Sequence, residues 1–287
     1  MAITANPTDT DTGIGTQDFE FLRKLVRSES GIELDQNHQY LVDSRLPPVA
    51  RQYKLAGIGE VMRQLRRSRD KKLQVDVIDA MTTNETSFFR DQHPFEDLTE
   101  HVIPKIIEAN PPGTPVTIWC AAASSGQEPY TLAMMINESF PELVRDRQIK
   151  IVATDLSRTM IKRTEEGRYS QFEVNRGLPA SLLLDYFEQD GREWVIRQDL
   201  RDMIETSVVN LLEPWPTVPK CDLVLLRNVM IYFSPDTKRE ILRRIRAEVL
   251  RPGGYLMLGS SETLIGIDDN YEKHKMDKGS IYRPEAR

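Results

Sequence analysis

Apolar residues recur at helical spacing near the start of the chain. In DFEFLRKLVRSESG, Phe19, Leu22, Leu25 and Val26 share one face, which predicts an amphipathic helix. Asp18 offers an N-cap and Gly31 a C-terminal stop. Further apolar pieces, in HQYLVDSRL, VARQYKLAG, IGEVMRQLRRS and KLQVDVIDAMTT, are separated by Gly and Pro and predict short helices. Residues 17–75 therefore read as an all-helical domain. The preceding MAITANPTDTDTGIGT, residues 1–16, reads as a disordered tail.

From residue 114 the rhythm changes. Short β-branched runs, PVTIWC, QIKIVATD, MIETSVVNL, CDLVLLRN and GGYLMLGSS, alternate with helical segments. That alternation predicts an α/β domain with a doubly wound parallel sheet over residues 92–287, joined to the helical part by a linker at 76–91. One stretch breaks the pattern. Roughly forty residues separate SRTMIKRTEEG from ETSVVNL, too many for a βα connection, and they hold EWVIRQDL beside a DG turn signal. Residues of about 168–207 are expected to form a small inserted antiparallel β subdomain.

Length and charge narrow the class. The chain has 287 residues and a net charge of −6, so as a whole it carries no nucleic-acid footprint. Arg51 to Lys72 nevertheless collects eight basic residues against two acidic ones. That segment is either a solvated helix face or a docking surface for an acidic protein. No uncharged apolar run approaches the ~20 residues of a membrane span, and the N-terminus lacks the features of a secretion signal. A cytoplasmic location is expected. Cys120 and Cys221 show no ligand spacing and read as core residues, and no metal site is expected.

In an open α/β sheet, ligands bind outside the carboxyl ends of the strands. The first strand end offers the small residues of CAAASSGQEP and then Glu128; the second offers Asp155, the third Asn210, the fourth Arg227 and Asn228. Small side chains let main chain approach a ligand, and the helix opened by Pro129 aims free N–H groups at the same place. Asp155 suits a ribose diol. A dinucleotide is disfavoured, because the loop has one glycine in place of G-x-G-x-x-G and Glu128 would repel pyrophosphate. A phosphate-free nucleoside with a positive charge, such as S-adenosylmethionine, meets these constraints.

TTNETSFFRD at 82–91, WCAAASSGQEPYTLAM at 119–134, ATDLS at 153–157, GRYS at 167–170 and LLRNVMIYF at 225–233 together resemble the bacterial chemotaxis receptor glutamate O-methyltransferases. The likeness runs from the first helix to GGYLMLGSSETL. It implies S-adenosylmethionine as methyl donor, with S-adenosylhomocysteine as product, and glutamyl side chains of methyl-accepting chemotaxis receptors as acceptors. By position it implies that Asn84, Thr86 and Arg90 close over the cofactor, with Glu128 and Asp155 beside its methionyl and ribosyl parts. Asn210, Leu211, Arg227 and Asn228 complete the cofactor set, and Arg90 and Tyr232 are implied to assist the reaction. The alternative is an enzyme of the same fold acting on another protein or on a small-molecule carboxylate.

A glutamate side chain, with a reference pKa of ~4.3, is ionised at neutral pH and needs no general base. His38, His93, His101 and His274 are accordingly read as surface or packing residues. Among the basic residues, Arg45, Arg51 and Lys54 are the candidates for docking the glutamate-rich receptor helix. Two departures from the family pattern stand out: Gln127 replaces one of a pair of acids, and Pro47-Pro48 should kink or restart the basic helix. In the family, the β subdomain can bind a pentapeptide at the receptor C-terminus. Here YFEQDGREWVIRQ is short and gathers Glu188, Asp190 and Glu193, which would repel the acidic peptide, so an enzyme that works without that tether is expected. A monomer is also expected, recruited to receptor clusters at the inner membrane face without inserting.

Overall fold

The computed structural model describes residues 14–67, 70–91, 93–276 and 280–285, and the chain divides into two units, Met1–Thr82 and Thr83–Arg287. The first unit contains helices α1 (Thr16–Ser30), α2 (Gln39–Gln52), α3 (Ile58–Arg67) and α4 (Lys71–Met81). Phe19, Leu22 and Val26 of α1, Val42 and Leu46 of α2, Val61 and Met62 of α3, and Leu73 and Val77 of α4 are buried. A boundary near residue 75 would cut α4, whose apolar face and Asp70 N-cap make it one element; the division falls after Thr82.

Several local expectations are corrected here. The N-cap of α1 is Gly15, and Asp18 lies in the first turn, where it pairs with Arg66 at 2.8 Å. Gly31 does end the helix, in the left-handed region at φ 75°. The predicted tail is shorter at its C-terminal side, because Ile14 is buried and its N–H donates to Asp43 Oδ1 at 3.0 Å; the rest of it, residues 1–13, lies outside the described residues. Pro47 and Pro48 do not separate two helices. They lie inside a continuous α2, half-buried and exposed respectively, while Leu46, Val49 and Ala50 carry the burial that holds the turn together.

In the second unit, β1 (Val116–Cys120), β2 (Ile149–Asp155), β3 (Arg168–Ser170), β4 (Phe187–Asp190), β5 (Glu193–Ile196), β6 (Ile204–Val208), β7 (Cys221–Leu226), β8 (Leu250–Leu258), β9 (Tyr271–Lys275) and β10 (Ser280–Pro284) form two sheets. The larger has seven strands in the order β6-β2-β1-β7-β8-β10-β9. Its first five are the parallel strands expected from sequence, and their order reverses beside β1, placing the switch point between β1 and β7. The antiparallel strands β9 and β10 escaped the sequence reading: YEKHK is too polar for a buried-strand pattern, and SIYRP is short and ends in Pro, a residue that argues against a strand. Helices α5 (His93–Asp97), α6 (Ile103–Ala109), α7 (Gln127–Ser139), α8 (Pro141–Arg145), α9 (Arg158–Glu166), α10 (Gln171–Asn175), α11 (Ala180–Tyr186), α12 (Gln198–Arg201) and α13 (Pro235–Arg244) complete the unit. No helix among the described residues is long and apolar enough to cross a membrane.

The second sheet is the inserted one, antiparallel in the order β3-β5-β4. It ends at Ile196, short of the expected 207, because Ile204–Val208 pairs with β2 in the main sheet. Phe88 of the linker motif is fully buried against it, edge-on to Tyr169 at 5.0 Å and to Phe187 at 5.7 Å. Gly177 makes that approach possible: a Cβ there would lie 2.2 Å from the Phe88 carbonyl oxygen. The crowding of carboxylates expected at the β4–β5 hairpin is compensated in part, because Arg168 bridges Asp190 at 2.7 Å and Glu193 at 3.0 Å.

Candidate active site

The site is built from the carboxyl ends of β1, β2, β6 and β7. After Cys120, five small residues lead to Gly126, which caps α7 at φ 94°. A Cβ at Gly126 would stand 2.9 Å from Thr164 Cγ2 and 3.0 Å from Tyr169 Oη. Those neighbours hold the turn by its main chain: Tyr169 donates to the Ser125 carbonyl at 2.8 Å and Thr164 to that of Ser124 at 3.1 Å. From the other side Ser124 N–H donates to Asp155 Oδ2, and Ser157 N–H to Asp155 Oδ1, each at 2.8 Å. Asp155 therefore tethers the β1 loop to the end of β2. Gln127, buried, accepts from Ser125 Oγ at 2.8 Å, so the departure from an acidic pair serves the loop itself.

Glu128 and Arg227 meet at the switch point. Arg227 Nη1 donates to Glu128 Oε2 at 2.9 Å, while Nη2 donates to the Arg90 carbonyl at 2.7 Å and to Asp91 Oδ2 at 3.0 Å. The Arg227 side chain is 1 % exposed, its Cζ lies 4.9 Å from the Phe95 ring centroid, and its Nε is buried without a partner among the described residues. Removal from water raises the Glu128 pKa above the ordinary carboxylate value; Arg227, the Cys120 thiol and Arg90 draw it back only in part. Burial, reinforced by Glu128, pushes the Cys120 thiol well up, so it remains a neutral donor.

Backbone strain concentrates here. Phe89, Asp91, Ser124 and Asn228 all have φ between 49° and 68°, a region that non-glycine residues seldom adopt. Each is fastened: Phe89 N–H donates to Thr131 Oγ1 at 3.1 Å, and Asn228 N–H to Glu262 Oε2 at 2.7 Å. Asn84 accepts from Ser124 Oγ through its carbonyl at 2.9 Å, Thr86 is half-buried, and Arg90 Nη1 donates to the Glu85 carbonyl at 2.8 Å. Tyr232 is half-buried in the turn Met230–Tyr232. After β6, Asn210 Oδ1 accepts from Leu212 N–H at 3.0 Å, and the buried Leu211 accepts from Arg244 Nη1 at 3.4 Å.

The residues expected at the strand ends thus occupy neighbouring positions, with two differences. Arg227 turns inward as an organiser of Glu128 and of the linker, and Asp91, quoted in the linker motif but given no role, is its second anion. Arg45, expected on a docking surface, instead donates through Nη1 to the Met81 and Thr82 carbonyls at 3.2 and 2.8 Å, closing the end of α4. Arg51 and Lys54 are exposed.

Family models described as "CheR methyltransferase, SAM binding domain" and "CheR methyltransferase, all-alpha domain" match residues 84–280 and 17–82. The chain belongs to the CheR methyltransferase family. Among curated relatives, it is 43% identical over 271 residues to Chemotaxis protein methyltransferase 1 of Pseudomonas aeruginosa, covering 93% of this chain and 97% of that one. Identity is 42% over 274 residues to Chemotaxis protein methyltransferase Cher2 of Pseudomonas putida, covering 94% and 98%. The Chemotaxis protein methyltransferase of Vibrio anguillarum is 38% identical over 275 residues, covering 94% and 98%. With the family come S-adenosylmethionine as cofactor and methyl transfer in chemotaxis as the function.

The residues fit that cofactor. No side chain longer than Ser stands between Ala121 and Gly126, so main chain is open to a nucleoside. Glu128, 13 % exposed and already coupled to a cation, suits a positively charged amino group, and Asp155 suits ribose hydroxyls. A pyrophosphate would face both carboxylates.

Proposed function

We propose that the chain esterifies glutamate side chains of methyl-accepting chemotaxis receptors, with Arg90 and Tyr232 at the reacting groups. S-adenosylmethionine supplies, when bound, a methyl group on a cationic sulfur that an anionic oxygen can displace. Glu128, fixed by Arg227, would hold the methionyl amino group, Asp155 the ribose, and Asn210, Leu211 and Asn228 the remaining cofactor edges, with Asn84 and Thr86 covering it. The acceptor carboxylate is ionised at neutral pH, so the chain's task is alignment and exclusion of water. Arg90 offers a planar fork to a carboxylate, and the Tyr232 hydroxyl offers a hydrogen-bond donor.

The observation that carries this reading is the Arg227 hub. One buried guanidinium locks the linker, through the Arg90 carbonyl and Asp91, to Glu128, the carboxylate proposed to hold the methionyl amino group. That lock supports a role for Arg90 at the site. Arg51 and Lys54 are proposed to attract the acidic receptor helix. The enzyme is proposed to act as a monomer at receptor clusters on the cytoplasmic membrane face, independently of a receptor pentapeptide. What supports tether independence is the brevity of the Gly191-Arg192 turn, since Arg168 offsets two of the three hairpin carboxylates.

Incubation with labelled S-adenosylmethionine and receptor-containing membranes tests the reading. Base-labile label on receptors is expected. Label on another protein, on a small carboxylate, or none at all would overturn it. Titration with the free pentapeptide is expected to give no binding; micromolar affinity would overturn tether independence.

A further inference from the structure

Glu262 follows β8 in GSSETL, and beyond its bond to Asn228 no role has been given to it. Its carboxylate receives main-chain N–H groups from two different strand exits. Oε2 accepts from Asn228 at 2.7 Å and from Gly259 at 2.9 Å, and Oε1 from Ile231 at 3.3 Å. Strands β7 and β8 bring those exits together, since Leu226 is in register with Leu258. Among the described residues no cation pairs with Glu262. Its charge acts on main-chain amides alone, where hydrogen bonds to an ionised acceptor are shorter and stronger than neutral ones.

Two of the three bonds hold the segment that presents Asn228 and Tyr232. Asn228 sits at φ 55°, an uncommon conformation for a residue with a side chain. Its side chain lies over Gly259, where a Cβ would be 2.5 Å from Asn228 Nδ2. Ile231 is in the middle of the turn Met230–Tyr232, so fixing its N–H fixes the direction in which Tyr232 leaves the main chain. We infer that Glu262 is a positioning residue for methyl transfer, holding Asn228 for the cofactor and Tyr232 for the reacting groups through their main chain. The inference rests on the proposed methyl-transfer reading of the same site. Only a carboxylate accepts on both oxygens; an amide would turn an NH₂ group toward Ile231 N–H or toward the Asn228 and Gly259 amides.

The experiment compares full-length wild type, Glu262→Gln and Glu262→Ala. Thermal melts are recorded first, then calorimetric titrations with S-adenosylhomocysteine, then initial rates on receptor membranes. Glu262→Ala should bind the product roughly tenfold or more weakly, as expected for losing charge-assisted bonds. Its turnover at saturation should fall by about tenfold or more while the receptor KM moves less than about threefold, the signature of lost alignment. Glu262→Gln, which keeps one oxygen for Asn228 and Gly259, should lie between it and wild type in both measurements. If Glu262→Ala does not fold, an intermediate Glu262→Gln still supports the inference and an unaltered one overturns it. Wild-type affinity and turnover in a folded Glu262→Ala would overturn it, and reduced affinity with wild-type saturated turnover would overturn the Tyr232 half. A wild-type enzyme that leaves receptors unlabelled counts against the proposed function alone, because the product titration still decides the role of Glu262.

Discussion

Arg227 and Glu128 form an ion pair at 2.9 Å in which the arginine side chain is almost wholly buried and the carboxylate is nearly so. The same guanidinium reaches Asp91 at 3.0 Å and the Arg90 carbonyl at 2.7 Å. A pair of this kind adds little net stability when intact, since desolvation offsets most of its attraction, but removal of one partner leaves the other charge buried and unpaired.

Substitution of Arg227 should therefore be costly out of proportion to the pair's net worth. Arg227→Gln is expected to destabilise the fold by about 3 to 5 kcal/mol and to loosen the linker that carries Arg90. Urea unfolding reads the first effect, and S-adenosylmethionine affinity the second. A loss of affinity without loss of stability would mean that Arg227 serves the ligand directly and not the pair.

Glu128 gives the site a pH dependence whose sign follows from its raised pKa. The ionised form is the one that attracts a cationic amino group, so affinity for S-adenosylmethionine should be full above the folded pKa and decline as pH falls through it. Because burial raises that pKa, the decline should begin at higher pH than for an ordinary carboxylate of ~4.3. Glu128→Gln should bind weakly at all pH values and lack this limb. Calorimetry across mildly acidic buffers measures both curves.

Asp155→Ala is expected to weaken cofactor binding by about tenfold or more, the equivalent of one charge-assisted hydrogen bond. The variant should also melt at lower temperature, because Ser124 N–H and Ser157 N–H lose their acceptor. A variant with unchanged affinity would remove Asp155 from the cofactor set.

Arg90→Ala should separate chemistry from stability. Among the described residues its guanidinium makes one hydrogen bond, to the Glu85 carbonyl, and Arg90 is only half-buried. Methyl transfer is expected to fall by roughly ten- to a hundredfold, as for a lost substrate-orienting group, with a nearly unchanged melting temperature. Full turnover by a well-folded variant would deny Arg90 any part in orienting or binding the acceptor.

The basic residues of the helical unit should divide into two kinds. Arg45→Ala should lower stability by about 1 kcal/mol through loss of the bonds to the Met81 and Thr82 carbonyls. Charge reversal at the exposed Arg51 and Lys54 should leave stability alone and raise the receptor KM, and added salt should shrink that difference. Receptor kinetics indifferent to both would mark the pair as a solvated face.

Local chemistry made much of this protein legible from its residues. Gly31 announced the end of α1, the β-branched runs announced β1, β2, β6, β7 and β8, and the strand ends displayed the polar residues proposed to bind the cofactor. Each of these signals is carried by neighbours along the chain or by a rule of sheet topology. What remained hidden depends on partners distant in sequence. Asp18 resembled a cap until Arg66 claimed it, and Arg45 looked like a free cation although its guanidinium closes α4. Pro47 and Pro48 resembled a break, yet buried Leu46, Val49 and Ala50 carry the helix through them. Nothing near Glu262 in sequence indicates that its carboxylate gathers amides from Asn228 and Ile231, over thirty residues upstream. Strand-end residues are placed by period and order, which a sequence displays; which guanidinium meets which carboxylate is decided by packing, where desolvation makes a buried charge find the one partner within reach.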